Sequence, residues 1–167
     1  EEVLSAFSIR PGRNRPRILK LGSNIAKAHG VCQQWELDAA LRLSGLDELH
    51  AIAGSRPTGS PFGTAFEFSS SVLGHMHMFQ RVNDALAFKD KNFDGTGTPA
   101  NLIAGAAIPA PARLLHLLLR AEKLMDSNLP DADVMQEMNK HATKYDPRFF
   151  AELSMALSSG CAEKELI

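Results

Sequence analysis

The sequence predicts an all-α protein, a bundle of about six or seven helices. Three observations lead there. Apolar residues recur at three- and four-residue steps along most of the chain, and no run alternates over strand length. Glycine, proline and aspartate fall between the periodic segments, where helices start and stop. With 167 residues, 44% hydrophobic and 22% charged, the chain suits one domain able to bury an apolar core.

Glu1 to Ile9 has the composition of a short helix, broken by Pro11, Gly12 and Pro16. Arg10, Arg13, Arg15 and Arg17 crowd this stretch. Four arginines so close suit a grip on a phosphate or an acidic partner, or a solvated linker, and residues 1–16 are read as linker or N-terminal extension. The bundle is assigned to residues 17–167. From Arg17 the helical pattern runs through Ile18, Leu21, Ile25 and Ala28 and stops at Gly30. A second helix from about Gln33 places Leu37, Ala40, Leu41 and Ser44 on one face. Gly54, Pro57, Gly59, Pro61 and Gly63 mark a loop.

Helical spacing returns at Val72, Met76, Phe79, Val82 and Leu86, and Met76, Met78 and Phe79 are read as core. The glycine-rich segment Asn92-Phe93-Asp94-Gly95-Thr96-Gly97-Thr98-Pro99 follows, a tight turn whose glycines permit close backbone approach. Beyond a loop through Gly105 and Pro111, Ala112 to Met125 form the most apolar helix. Leu114, Leu115, Leu117, Leu118, Leu119 and Leu124 surround it, so it belongs at the centre of the bundle. Asp131 or Asp133 caps a helix carrying Val134, Met138 and Ala142. Asp146-Pro147 starts the last helix, an N-cap followed by proline at the first helical position, with Phe149, Phe150, Leu153 and Leu157 inward.

A net charge of -1 and a pI near 6.7 exclude a broad electrostatic footprint for duplex DNA. No run approaches the roughly 20 apolar residues that cross a bilayer. Cys32 and Cys161 lie far apart, which favours reduced thiols and a cytoplasmic setting. The start at Glu1-Glu2 is read as a piece of something longer.

Six histidines offer imidazole donors for a metal: His29, His50, His75, His77, His116 and His141. On a helix, His75 and His77 point about 200° apart and cannot share an ion. His-Glu-x-x-His spacing is absent, and His116 inside the leucine-rich helix reads as a hydrogen-bonded core histidine. Gly-x-Ser-x-Gly does not occur, and Asp94-Gly95-Thr96-Gly97-Thr98-Pro99 completes neither a Walker loop nor a dinucleotide fingerprint.

Phe93-Asp94-Gly95-Thr96-Gly97-Thr98-Pro99 nevertheless resembles the Trp/Phe-Asp-Gly-x-Gly-Tyr-Pro signature of the HD-GYP family, helical bacterial phosphohydrolases that degrade cyclic di-GMP. Gly105-Ala106-Ala107-Ile108-Pro109-Ala110-Pro111-Ala112-Arg113-Leu114-Leu115 is similar to the family's Gly-x-x-Ile-Pro-x-x-Ala-Arg-Ile-Leu. Lys144-Tyr145-Asp146-Pro147 resembles its Phe-Asp-Pro, and Ile25 to Leu43 looks like the helix pair before its His-Asp dyad. The likeness spans roughly Arg17 to Leu157 and implies an HD-domain-like bundle.

By the same resemblance, Ser44-Gly45 stands where the family has its His-Asp ligands, and Glu48 replaces the following lysine. Lys89-Asp90-Lys91 replaces His-His-Glu, Leu119 replaces an aspartate, Ser60 is nearest to a further histidine, and Thr98 replaces the signature tyrosine. Serine, glycine and leucine do not ligate iron or manganese as imidazole and carboxylate do. Metal activation lowers the pKa of water from about 15.7 to about 7, so its loss removes on the order of 11 kcal/mol of nucleophile activation. The resemblance therefore implies a domain with no catalytic residues, no metal and no cofactor.

What it keeps is a binding surface: Asp94, Gly95, Gly97, Thr98 and Pro99 of the signature loop, with Lys89, Lys91 and Arg113 as nearby cations. Lys89, Asp90 and Lys91 equally fit a solvated helix end. The expected function is a regulatory output domain of a two-component response regulator, downstream of a receiver domain. Its expected partner is a GGDEF-type diguanylate cyclase or another signalling protein. The alternatives are a metal-independent cyclic di-GMP sensor using Lys89, Lys91 and Arg113, and an active hydrolase with an atypical ligand set. Neither DNA nor membrane insertion is expected, and a homodimer through residues 1–16 is compatible with this reading.

Overall fold

The computed structural model describes residues 12–52 and 79–159. Six α-helices are present among them: α1 (Arg15–His29), α2 (Gln34–Ile52), α3 (Gln80–Ala87), α4 (Ala110–Asp126), α5 (Asp131–Asn139) and α6 (Pro147–Ser158). Single 3-10 turns at Gly105–Ala107 and Ala142–Lys144 complete the described elements, with an isolated antiparallel bridge between Lys91 and Gly97 in place of any strand among the described residues. The fold class is all-α, as the periodicity predicts. The expectations for Glu1–Ile9, the Gly54–Gly63 loop, Val72, Met76, Met78, His75, His77 and Cys161 lie outside the described residues, as do the side chains of Glu48 and His50.

α4 is the axle. Ala112, Leu114, Leu115, Leu117, Leu118 and Ala121 are fully buried, and α4 packs against each of the other helices. Each fully buried leucine contributes about 1.5–3 kcal/mol of apolar transfer. α1 lies close against it at Gly22, where a β-carbon would press on side-chain methyls of Leu118 and Leu37. The buried stripe of α1 is Ile18, Leu21, Gly22, Ile25 and Ala26, so the expected Ala28 is corrected to Ala26; Ala28 is exposed. On α2 the expected face is buried at Leu37, Ala40, Leu41 and Ser44.

The helix ends follow from local chemistry. Gly30 closes α1 in the left-handed region (φ 61°), and Val31 N–H donates to the Ala26 carbonyl at 2.9 Å while burying its side chain, the Schellman arrangement. Glu36 reaches back to accept from the Gln33 N–H at 2.6 Å at the start of α2. Asp146 caps α6 through the Arg148 N–H at 2.9 Å, with Pro147 behind it, and Phe149, Leu153 and Leu157 are buried. Asp131 is not a cap. It sits in the first turn of α5 and receives both terminal nitrogens of Arg17 at 2.9 and 2.5 Å.

The solvated reading of the arginine stretch is corrected at its described end. α1 begins at Arg15, with Pro16 in its first turn. Arg15 Nε bonds Glu122 at 2.5 Å and its Nη1 donates to the Leu41 carbonyl at 2.5 Å. Asn14 donates to Asp126 from its side chain at 2.8 Å, and Arg13 to Asn128 at 3.3 Å.

Candidate functional site

α3 ends at Ala87, and the chain enters the glycine-rich turn. Asn92 N–H donates to the Thr96 carbonyl at 2.9 Å, Gly95 N–H to the Asn92 carbonyl at 3.0 Å, and Thr98 N–H to the Asp90 carbonyl at 3.2 Å. Gly95 (φ 92°) and Gly97 (φ 88°) supply the positive φ angles this path needs. A β-carbon at Gly97 would collide with the Asp90 carbonyl oxygen, so the backbone itself excludes other residues. The turn expected from the glycine spacing is present, and the Thr98–Pro99 peptide is cis.

Asp94 folds over the turn. Its Oδ1 accepts from the Thr96 hydroxyl at 2.6 Å and the Thr96 N–H at 2.9 Å, which holds its carboxyl below the usual carboxylate range. Asp94, Gly97 and Thr98 are exposed, while Gly95 and Pro99 are half-buried. The whole turn is anchored to α6's approach by Phe93 N–H on the Lys144 carbonyl (2.9 Å) and to the following segment by Gly105 N–H on the Phe93 carbonyl (2.7 Å).

The predicted cations divide. Lys91 is 1% exposed, and its ammonium donates to the carbonyls of Pro99 and Asn101, each at 2.9 Å. It is therefore neither a solvated helix end nor a surface cation, a correction that only the return of the loop over it explains. Arg113 is also buried. Its Nε donates to the Ile108 carbonyl at 2.9 Å, its Nη1 pairs with Asp146, and its guanidinium lies 5.6 Å over the Phe149 ring. Expected as a phosphate-facing cation, Arg113 instead pins the loop's return to α6. Lys89 is paired with the exposed Asp90 at 2.6 Å.

His116 is hydrogen-bonded inside, as expected: its Nδ1 lies 2.7 Å from the Lys89 carbonyl. A carbonyl only accepts, so Nδ1 carries the hydrogen. Burial, with help from Lys144 and Lys89, lowers the His116 pKa against the opposing pull of that bond and Asp90. Tyr145 lies 5.8 Å from the imidazole and stacks on Phe150 at 5.6 Å.

A divalent ion requires several imidazole, thiolate or carboxylate donors converging on one point. Ser44 is buried, with its hydroxyl donating to the Leu41 carbonyl at 2.8 Å, and Leu119 offers no lone pair. No group of three or more His, Cys, Asp and Glu side chains converges among the described residues. His29 is turned to Glu152 at 2.9 Å on the α1–α6 side. These described side chains do not fit a di-metal centre. A crevice lined by Cys32, Glu36, Arg81, Ala85 and Pro111 has about 10 Å³, the room of a single water. Burial and the neighbouring Glu36 raise the Cys32 thiol to about 11, so it stays protonated and unreactive.

The site residues missed in the sequence are Asn101, Leu102 and Ile103. Leu102 is completely exposed, Asn101 accepts the Ile103 N–H on its side chain at 3.1 Å, and Asn101 N–H donates to the Pro99 carbonyl at 2.9 Å. Their signal was available: Gly95 through Ala112 contains no charged residue.

The family model described as HD domain matches residues 64–149. The matched span begins beyond Ser44-Gly45 and takes in the turn, α4 and Asp146. Comparisons with curated proteins and with solved structures give no match. No helix among the described residues is long and apolar enough to cross a membrane.

Proposed function

Because the chain belongs to the HD-domain family, we propose that it is a non-catalytic regulatory domain of bacterial signal transduction, a degenerate relative of the HD-GYP phosphodiesterases that acts through protein contacts. Lys91 carries this reading. At the position where the resembled family has a metal-binding His-His-Glu, an ammonium is buried and bonded to two loop carbonyls. An ammonium has no lone pair for a cation and adds charge that repels one. The same side chain holds the Asp94–Pro99 turn in place, so the substitution trades a metal donor for a support of the surface a partner would meet.

In this reading Asp94, Gly95, Gly97, Thr98 and Pro99 face a GGDEF-type diguanylate cyclase or another signalling protein, in the cytoplasm and downstream of a receiver domain. Metal analysis of protein loaded with manganese or iron, together with a cyclic di-GMP hydrolysis assay, tests the non-catalytic part. Substoichiometric metal and no turnover above buffer are expected; sustained turnover abolished by Asp90→Asn would overturn it. Co-purification with a diguanylate cyclase tests the docking part, and recovery unchanged by Gly97→Asp with Pro99→Ala would remove the turn from the interface.

The nucleotide-sensor reading is weaker because Lys91 and Arg113 spend their donors inside the protein. Calorimetric titration with cyclic di-GMP separates the two: no saturable heat is expected, and stoichiometric binding would favour the sensor.

A further inference from the structure

We propose that residues 12–17 form a charge-gated latch, a stretch that closes onto α4 and α5 through distant carboxylates and opens while the bundle stays folded. The start of α1 carries a local conflict. A helix N-terminus bears about half a positive charge and favours acidic residues and a capping side chain. α2, α5 and α6 follow that rule with Glu36, with Asp131 and Asp133, and with the Asp146 cap. α1 breaks it. Its first turn holds Arg15 and Arg17 and no acid, and Asn14, at the cap position, makes no side-chain capping bond.

The missing negative charge comes from 107 to 114 residues along the chain. Asp126 Oδ1 accepts from the Asn14 side chain at 2.8 Å and from the Asn14 N–H at 3.2 Å. Glu122 takes Arg15 Nε at 2.5 Å, and Asp131 takes both terminal nitrogens of Arg17. The Asn14 amide that could have capped α1 is thus turned to a tertiary contact. Gly12 lies so near that a β-carbon there would meet carboxylate oxygens of Asp126 and Glu122.

Polar bonds fasten this stretch. None of residues 12–17 is buried, and the fully buried Ile18 is the first residue that the core holds. Ion pairs between partly exposed groups contribute little each and weaken with salt, whereas apolar burial is not screened. A segment with few buried apolar contacts opens at a lower free energy than the core. Local preference works in the same direction, because without its carboxylates the turn sets two arginines at the positive pole of α1. Opening releases Gly12 to Arg17 from α4 and α5 and leaves Ile18 seated. The charge at the junction of these two helices therefore sets whether the chain enters the bundle clamped or loose.

Hydrogen exchange of the full chain at about 0.02 and about 0.5 M sodium chloride, Debye lengths of about 20 and about 4 Å, reads the latch. The reporters are the Arg15 amide, bonded to the Gly12 carbonyl, and the Ile18 amide, bonded to the Asn14 carbonyl, each at 2.9 Å. Exchange faster by on the order of tenfold is expected for both at high salt, with the Leu117 and Leu118 amides of α4 unchanged. Asp126→Asn with Asp131→Asn keeps the acceptor oxygens and removes two charges. In that variant both reporters are expected to exchange fast already at low salt, with a smaller salt effect. Reporters that ignore salt in the wild-type chain overturn the proposal, as does acceleration shared by Leu117 and Leu118, which would make the opening global. So does wild-type exchange in the double variant. If that variant melts early, Asp131→Asn alone carries the same expectation.

Discussion

Arg113 and Asp146, 33 residues apart in the chain, form a buried ion pair in which Asp146 does two jobs: it neutralises the guanidinium and caps α6. Arg113 is 8% exposed and Asp146 1%. Removing one partner of a buried pair costs about 3–5 kcal/mol, because the survivor keeps its desolvation without its counter-charge. Asp146→Ala is therefore expected to destabilise by about that amount in urea unfolding. Asp146→Asn keeps the capping oxygen and should lose measurably less. Equal losses for the two variants would show that the cap contributes nothing.

Lys91→Met tests the loop's support. It keeps the apolar stem but deletes the bonds to Pro99 and Asn101, leaving two carbonyls with less satisfaction. A stability loss of about 1–3 kcal/mol is expected. Hydrogen exchange should quicken at the Asn101 and Ile103 amides while α4 stays protected; uniform acceleration would mean the lysine supports the core rather than the loop.

Gly97→Ala places a β-carbon against the Asp90 carbonyl at φ 88°. Strain of about 1–3 kcal/mol is expected, read as a lowered urea midpoint with loss of protection at the Thr98 amide, whose bond to Asp90 must open. Wild-type protection there would show that the turn relaxes at no cost.

His116 gives stability a pH dependence. Its folded pKa is lowered from the ordinary 6.5, chiefly by burial. Between the folded and unfolded values the unfolded chain binds a proton that the folded chain does not, so stability rises with pH in that window. The loss therefore begins as pH falls through about 6.5 and levels off below the folded value. Urea midpoints measured from about pH 8 down to about pH 5 should fall less steeply for His116→Gln than for wild type. Parallel slopes would assign the dependence to other groups.

The parts of the fold legible in the sequence are those set within a few residues. The leucines of α4, the Asp146-Pro147 start of α6, the Gly30 stop and the two-glycine turn all follow from spacing or backbone geometry, and each is present. The fates of the charges were not legible, because a partner far along the chain decides them. Nothing near Arg15 announces Glu122, 107 residues on, and nothing beside Lys91 indicates that the carbonyls of Pro99 and Asn101 return over it. For the same reason the two-glycine turn is legible in the sequence and the burial of Lys91 and Arg113 beside it is not. Local periodicity measures what is buried, and the Leu102 side chain is wholly outside.

The fastening of Arg13, Asn14 and Arg15 onto Asn128, Asp126 and Glu122 has a mechanical consequence. These contacts grip the C-terminal end of α4, a rod about 25 Å long at 1.5 Å per residue. At its opposite tip, Arg113 and His116 hold the foundations of the loop. A displacement of the backbone at Gly12 therefore works against a stiff rod whose far end is bonded to the carbonyls of Lys89 and Ile108.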